Sequence, residues 1–220
     1  MTKERPISYS PPMVRARNVA LKKQTRRIMK NQPDEEWKPF GYDDLHAFDK
    51  HGELTERVNG WGPCSEDGLQ GYNCPYGKPG DRLWVREAWR TVHQADALPP
   101  RHLTAAHSIW YEADAPHQPG YGKYRPSMFM PRWASRGLDQ ITSVRVERLQ
   151  DISEADALAE GVDLKTKHVY QTTHSQTRQL LLADPTAKRA YERLWESMNG
   201  PGSWAANPWV WVIEFKVLQR

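Results

Sequence analysis

Trp209-Val210-Trp211-Val212-Ile213-Glu214-Phe215-Lys216-Val217-Leu218 is the stretch on which the fold turns. Successive side chains of a strand point to opposite faces. Here Trp209, Trp211, Ile213, Phe215 and Val217 share one face, and Val210 and Val212 begin the other before Glu214 and Lys216 replace them. The alternation predicts a strand over 209–218. Working backwards, Asn199-Gly200-Pro201-Gly202 ends a helix whose Tyr191, Leu194, Trp195 and Met198 form one apolar stripe, with Asp184-Pro185 as its expected cap. Ser153-Glu154-Ala155-Asp156 resembles a capping box, and the short helix it opens should end at Gly161. Val144 and Val146 alternate against Arg145 and Glu147, which predicts a strand over 141–149.

Further upstream, Lys78-Pro79-Gly80-Asp81 reads as a turn into a strand over 83–89, with Leu83 and Val85 on one side and Trp84 and Arg86 on the other. Ile7-Ser8-Tyr9 reads as a short first strand stopped by Pro11-Pro12. Residues 13–21 are helix-compatible, and 25–28 follow as a strand. Between these elements lie two long excursions rich in Gly, Pro and His, at 31–73 and 91–135, with a strand at Trp110-Tyr111 inside the second. Leaving aside the short strand at 110–111, the order is strand, helix, strand, strand, strand, helix, helix, strand. It favours an α+β domain, a small β-barrel with flanking helices, over a doubly wound sheet.

Composition narrows the class. The chain has 220 residues, 38% of them hydrophobic, with aromatics at 10% and 10 tryptophans, which excludes a disordered chain. A single domain over 1–220 is expected. Lys and Arg total 31 against 27 acidic residues, a net charge of +4, which permits a polyanionic partner without requiring one. Mean hydropathy is −0.83, and no apolar run approaches the roughly 20 residues a bilayer needs, so no membrane partner is expected. The polar start Met1 to Pro6 leads into no apolar region, so a secretory signal is not expected. The cysteines Cys64 and Cys74 suit a reducing cytoplasm. Neither they nor His46 and His51 have zinc-ligand spacing.

The densest polar cluster is Lys22-Lys23-Gln24-Thr25-Arg26-Arg27. If 25–28 is a strand, Thr25 and Arg27 point to one side and Arg26 to the other. A Thr hydroxyl is a nucleophile only when something takes its proton, and a lysine can do so when burial and neighbouring cations depress its pKa. A solvated basic turn, or a phosphate-binding surface, is the competing reading.

Four segments resemble the ASCH family, whose fold belongs to the PUA-like β-barrel superfamily. They are the strand, helix and basic turn of 7–30, the Pro79-Gly80-Asp81-Arg82-Leu83-Trp84-Val85-Arg86-Glu87 strand, the strand and helix of 144–162, and the closing Asn207-Pro208-Trp209-Val210-Trp211-Val212-Ile213-Glu214-Phe215 strand. The resemblance implies a PUA-like barrel with two long insertions. It also implies the triad of the small bacterial members that hydrolyse N4-acetylcytidine: Lys22 as base, Thr25 as nucleophile and Glu160 as acid or orienter. The sequence departs from that pattern where Ala20 replaces the usual Gly, Leu21 a basic residue and Lys23 a Thr. The expected activity is therefore amide hydrolysis on N4-acylcytosine nucleosides, small-molecule substrates that need no cofactor or metal. An RNA-binding module, with weak binding of single-stranded RNA, and a ribonuclease are the alternatives.

The expected substrate contacts are Arg26, Arg27, Trp84, Arg86, Glu87, Arg132 and Trp133. Arg26 or Arg27 would stabilise an oxyanion. Arg86 and Glu87 would form an ion pair lining a cleft beside Trp84, or pack the barrel wall. Arg132 and Trp133 would contact phosphate and stack on a base, or form a packed lid.

Overall fold

The protein was analysed as a computed structural model, which describes residues 2–33, 74–114, 120–162 and 186–219, and the backbone alone of 47–48 and 54–55. Its elements run β1 (Glu4–Ser8), α1 (Pro11–Asn18), β2 (Gln24–Ile28), β3 (Ala47–Phe48), β4 (Leu54–Thr55), β5 (Arg82–Arg86), β6 (Trp89–Thr91), β7 (Ile109–Tyr111), β8 (Leu138–Arg148), α2 (Glu154–Ala159), α3 (Ala187–Asn199) and β9 (Trp209–Gln219). The fold is mixed α+β around a five-stranded sheet in the order β1-β5-β8-β9-β2. β1 and β5 run parallel, and the other neighbours are antiparallel. No ladder joins the edge strands β1 and β2 among the described residues. Instead the Arg27 side chain reaches across, donating to the Ser8 carbonyl at 2.6 Å.

β9 lies inside the sheet, between β8 and β2, and both its faces are apolar. Trp209, Trp211, Ile213 and Phe215 pack with Ile7, Tyr9, Val14, Leu83, Val85, Ile141 and Val146 in the larger core. Val210 and Val212 face the opposite way, into a second core with Ala157, Tyr191, Trp195 and Trp204. Truncating Trp211 would cost about 3–5 kcal/mol, the usual loss for a buried Trp. On β8, Val146 joins the larger core, while Arg145 and Glu147 lie opposite Val212 and Val210. Register shifts near Leu138 and Ile141 carry β8 three residues further upstream than its alternation suggests.

The helices follow from their caps. Ser153 accepts from the Asp156 N–H at 3.0 Å and starts α2. Thr186 accepts from the Arg189 N–H at 3.2 Å and starts α3; the expected cap at Asp184-Pro185 lies outside the described residues. The Glu154 carboxylate also accepts from the Ala187 N–H at 2.7 Å, an anion on the positive end of α3 that ties the two helices together. Tyr191 and Trp195 are buried as the stripe predicts, but Met198, at 52% exposure, has run past the core.

The strand expected over 83–89 is cut in two. β5 stops at Arg86 because Ala88 and Trp89 turn away, accepting from Glu112 and donating to Arg125, and Trp89 then opens the β6–β7 ribbon. The described remainder of the second excursion is mostly short 3₁₀ turns, with isolated bridges from Trp89 to Arg125 and from Val92 to Tyr121. The turn before β5 forms as predicted: Gly80 takes a φ of +91° and the Asp81 N–H reaches the Lys78 carbonyl at 2.9 Å. β3 and β4 pair antiparallel, and the rest of 34–73 lies outside the described residues.

Candidate functional site

Helix α1 ends at Asn18, three residues earlier than its composition suggests. The Leu21 N–H reaches the Ala16 carbonyl and the Ala20 N–H the Arg17 carbonyl, both at 2.9 Å, with Ala20 at a φ of +58°. This is a Schellman ending with Ala in the left-handed position that glycine usually fills. The chain that leaves it is fixed at both sides of Lys23. The Lys23 N–H donates to the Ala159 carbonyl at 2.7 Å, and its carbonyl accepts from the Phe215 N–H at 2.9 Å. The basic turn therefore lies between the end of α2 and β9.

That placement buries Lys22. Its Nζ donates to Glu160 Oε2 at 2.8 Å and to the Glu160 carbonyl at 2.9 Å, with only 2% of Lys22 and 3% of Glu160 exposed. Gly161 makes the approach possible. It holds a φ of +86°, and a Cβ there would lie 2.9 Å from the Cβ atoms of both Lys22 and Ala16. Burial lowers the pKa of Lys22, Glu160 pulls it back up, and Arg27 and Arg26 lower it further. The bland alternative of a solvated turn does not describe Lys22.

Strand pairing divides the rest of the cluster between two faces. Thr25 and Arg27 sit opposite Ile213 and Trp211, and so face the larger core; Gln24 and Arg26 face α2. Thr25 is 4% exposed, and no hydrogen bond holds its hydroxyl among the described residues. Arg26 is buried among three carboxylates: Glu147 at 3.0 Å, Asp156 at 3.3 Å and Glu160 at 3.3 Å. Arg145 extends the network to Glu147, Asp156 and Glu214. Arg26 thus orients the Glu160 carboxylate and is not free for an oxyanion. Arg27 has no carboxylate partner among the described residues and lies 5.7 Å from the Tyr9 ring. Comparisons with protein-family models, with curated proteins and with solved structures find no match.

The remaining expected contacts lie elsewhere. Trp84 and Arg86 are on the face of β5 opposite Leu83 and Val85, and Arg86 and Arg132 both stack on the Trp84 ring, at 4.6 and 5.9 Å. Arg132 is also held by Glu4 at 3.0 Å, and Trp133, in the same 3₁₀ turn, is partly exposed. The expected Arg86–Glu87 ion pair does not form. Because the chain turns after Arg86, buried Glu87 meets Arg136 in a two-pronged contact at 2.8 and 2.9 Å. Arg136 also pairs with Asp114 and stacks 3.9 Å from the Tyr111 ring centroid.

Two residues escaped the sequence reading. Tyr9 is buried, with Lys22 Nζ 5.6 Å from its ring, and burial pushes its hydroxyl well above the usual range. Asp139, clamped by Arg17 at 2.7 Å, contributes to the field at both Tyr9 and Lys22. The period-2 spacing of Ile7 and Tyr9 was the available signal, since it places a polar-tipped ring on a core-facing side. Cys74 is buried, its thiol pushed up to about 11, and no cluster of metal-binding side chains occurs among the described residues.

Proposed function

We propose that this protein is an amidohydrolase that removes the acyl group from N4-acylcytosine nucleosides, on a sheet that is a variant of the PUA-like barrel of the ASCH family. The observation that carries the reading is the buried Lys22–Glu160 contact, made by residues 138 positions apart. A lysine whose ammonium form is disfavoured by burial gives up its proton more readily than one in water. Glu160 favours the ammonium and holds the amine in place, while burial, Arg27 and Arg26 favour the neutral base that the reaction uses.

In the proposed cycle Lys22 accepts the Thr25 hydroxyl proton as the Thr25 oxygen bonds to the acyl carbon. The carbonyl oxygen becomes an oxyanion, and Arg27 is the guanidinium with charge to spare for it. The C–N bond then breaks. Its electron pair leaves with the exocyclic nitrogen, which takes a proton passed from Lys22 or Glu160, and cytidine departs. Water, deprotonated in turn by Lys22, attacks the Thr25 ester, releasing the carboxylic acid and restoring the hydroxyl. The electron-poor pyrimidine makes this amine a better leaving group than an alkyl amine.

The RNA readings are less well supported. Arg132 and Arg136, which with the basic turn would attract phosphate, are held by Glu4 and by Glu87 and Asp114. The test is incubation of purified protein with N4-acetylcytidine and, separately, with single-stranded RNA. Conversion to cytidine supports the proposal. Tight RNA binding, or RNA cleavage that depends on Lys22, with no cytidine formed, refutes it.

A further inference from the structure

The larger core holds a polar atom that nothing in it satisfies. The Tyr9 hydroxyl is buried and has no hydrogen-bond partner among the described residues. The ring itself is 5% exposed. A buried hydroxyl without a partner costs about 1–3 kcal/mol, and phenylalanine would fill the same space without that cost. Its surroundings are strongly charged. Lys22 and Arg27 flank the ring at 5.6 and 5.7 Å, and Arg17, Asp139 and Glu160 also act on the hydroxyl. The nearby carboxylates are already engaged: Asp139 by Arg17, and Glu160 by Lys22 and Arg26.

Position on the sheet adds a second, independent observation. The Tyr9 ring packs on Phe215 with centroids 6.2 Å apart. Phe215 is the next residue on the same face of β9 after Ile213, and Ile213 is the partner of Thr25. Tyr9 and Thr25 therefore carry hydroxyls on one face of the sheet, with Lys22 Nζ 5.6 Å from the Tyr9 ring.

We infer that the Tyr9 hydroxyl donates a hydrogen bond to the acyl oxygen of the substrate as that oxygen becomes the oxyanion of the tetrahedral intermediate. The inference rests on the acyl-transfer reading above and adds a donor to it. No bond of Tyr9 is made or broken in the step. The electron pair of the carbonyl moves onto oxygen as the Thr25 oxygen bonds to carbon, and the phenol O–H points at the charge that results. The phenol keeps its proton through the neutral range, so it acts as a donor throughout.

The test compares wild type and Tyr9→Phe on N4-acetylcytidine, with thermal unfolding of both. Removing one oxyanion donor should lower kcat about 10²–10³-fold. KM should stay within about twofold, because the contact strengthens only in the transition state. The melting temperature should hold or rise, because the variant loses an unsatisfied hydroxyl. If Tyr9→Phe fails to fold, 3-fluorotyrosine at position 9 keeps the shape and strengthens the donor, and kcat should rise at unchanged KM. An active wild type with unimpaired Tyr9→Phe, or with an unmoved fluorotyrosine variant, overturns the Tyr9 role alone. A rise in KM at constant kcat overturns it too, since it marks ground-state binding. A wild type that does not cleave the amide overturns the acyl chemistry and this role together.

Discussion

Replacing Glu160 by Gln leaves the Lys22 ammonium buried, with Arg26 and Arg27 nearby and its counter-charge gone. The pair is separated by 2.8 Å and excluded from water. Breaking such a pair by removing one partner usually costs about 3–5 kcal/mol. Lys22 would keep the residue-160 carbonyl as an acceptor, now at 2.9 Å, so the lower end, about 3 kcal/mol, is expected. Lys22→Met should cost less, about 2 kcal/mol, because Glu160 retains Arg26. The double variant removes both charges and should fall well short of the sum, leaving a coupling of about 2 kcal/mol. In a chain of this size each kcal/mol moves Tm by about 2–4 °C, so Glu160→Gln should melt about 6–12 °C lower at neutral pH. A double-mutant cycle by urea unfolding measures the coupling. Losses that add to within about 0.5 kcal/mol would refute a direct Lys22–Glu160 interaction in the folded protein.

Ala20→Gly should stabilise the fold by about 0.5–1 kcal/mol, since a left-handed alanine costs about 1–2 kcal/mol and glycine's extra unfolded freedom takes back only part; a loss of stability in urea would contradict the Schellman ending. The folded pKa of Lys22 lies below 10.5, so between that pKa and 10.5 the unfolded chain binds the extra proton and stability rises with pH. Lys22→Met should abolish that rise in alkaline unfolding curves, and an unchanged curve would show that Lys22 is not buried as a cation. At Asp156 burial acts upward but Arg26 and Arg145 outweigh it, so its contribution is full above 3.8 and is lost as pH falls through the lower folded pKa. Asp156→Asn should flatten the acid limb of the unfolding profile. The Cys74 thiol, pushed up to about 11 by burial, should react with a thiol reagent at neutral pH only after unfolding.

Much of the frame was legible because it depends on local pattern. The alternation from Trp209 to Val217 marks β9, and its second apolar face at Val210 and Val212 anticipates the helices that cover it. Ser153 and Gly161 bound α2 as capping chemistry requires. The split of Thr25 and Arg27 from Arg26 follows from period 2 alone. What was not legible depends on distant partners. Nothing near Glu87 announces Arg136, which is 49 residues away, and the neighbouring Arg86 looked like its natural counter-ion. Arg26 looked like an oxyanion donor until the strand placed it among Glu147, Asp156 and Glu160. The break after Arg86 comes from Glu112 and Arg125, which claim the backbone of Ala88 and Trp89. Tyr9 was read as the end of a strand, because only the folded core reveals that its hydroxyl lacks a partner.

The central claim is that Thr25, activated by Lys22 beside Glu160, attacks an N4-acyl amide. The most direct measurement is the initial rate of cytidine formation from N4-acetylcytidine, followed by ultraviolet absorbance, for wild type, Thr25→Ala and Thr25→Ser under the same conditions. The account predicts turnover by wild type, partial turnover by Thr25→Ser, and a loss of several orders of magnitude in Thr25→Ala with its melting temperature little changed. Turnover by Thr25→Ala equal to that of wild type would contradict it and would assign the attack to water.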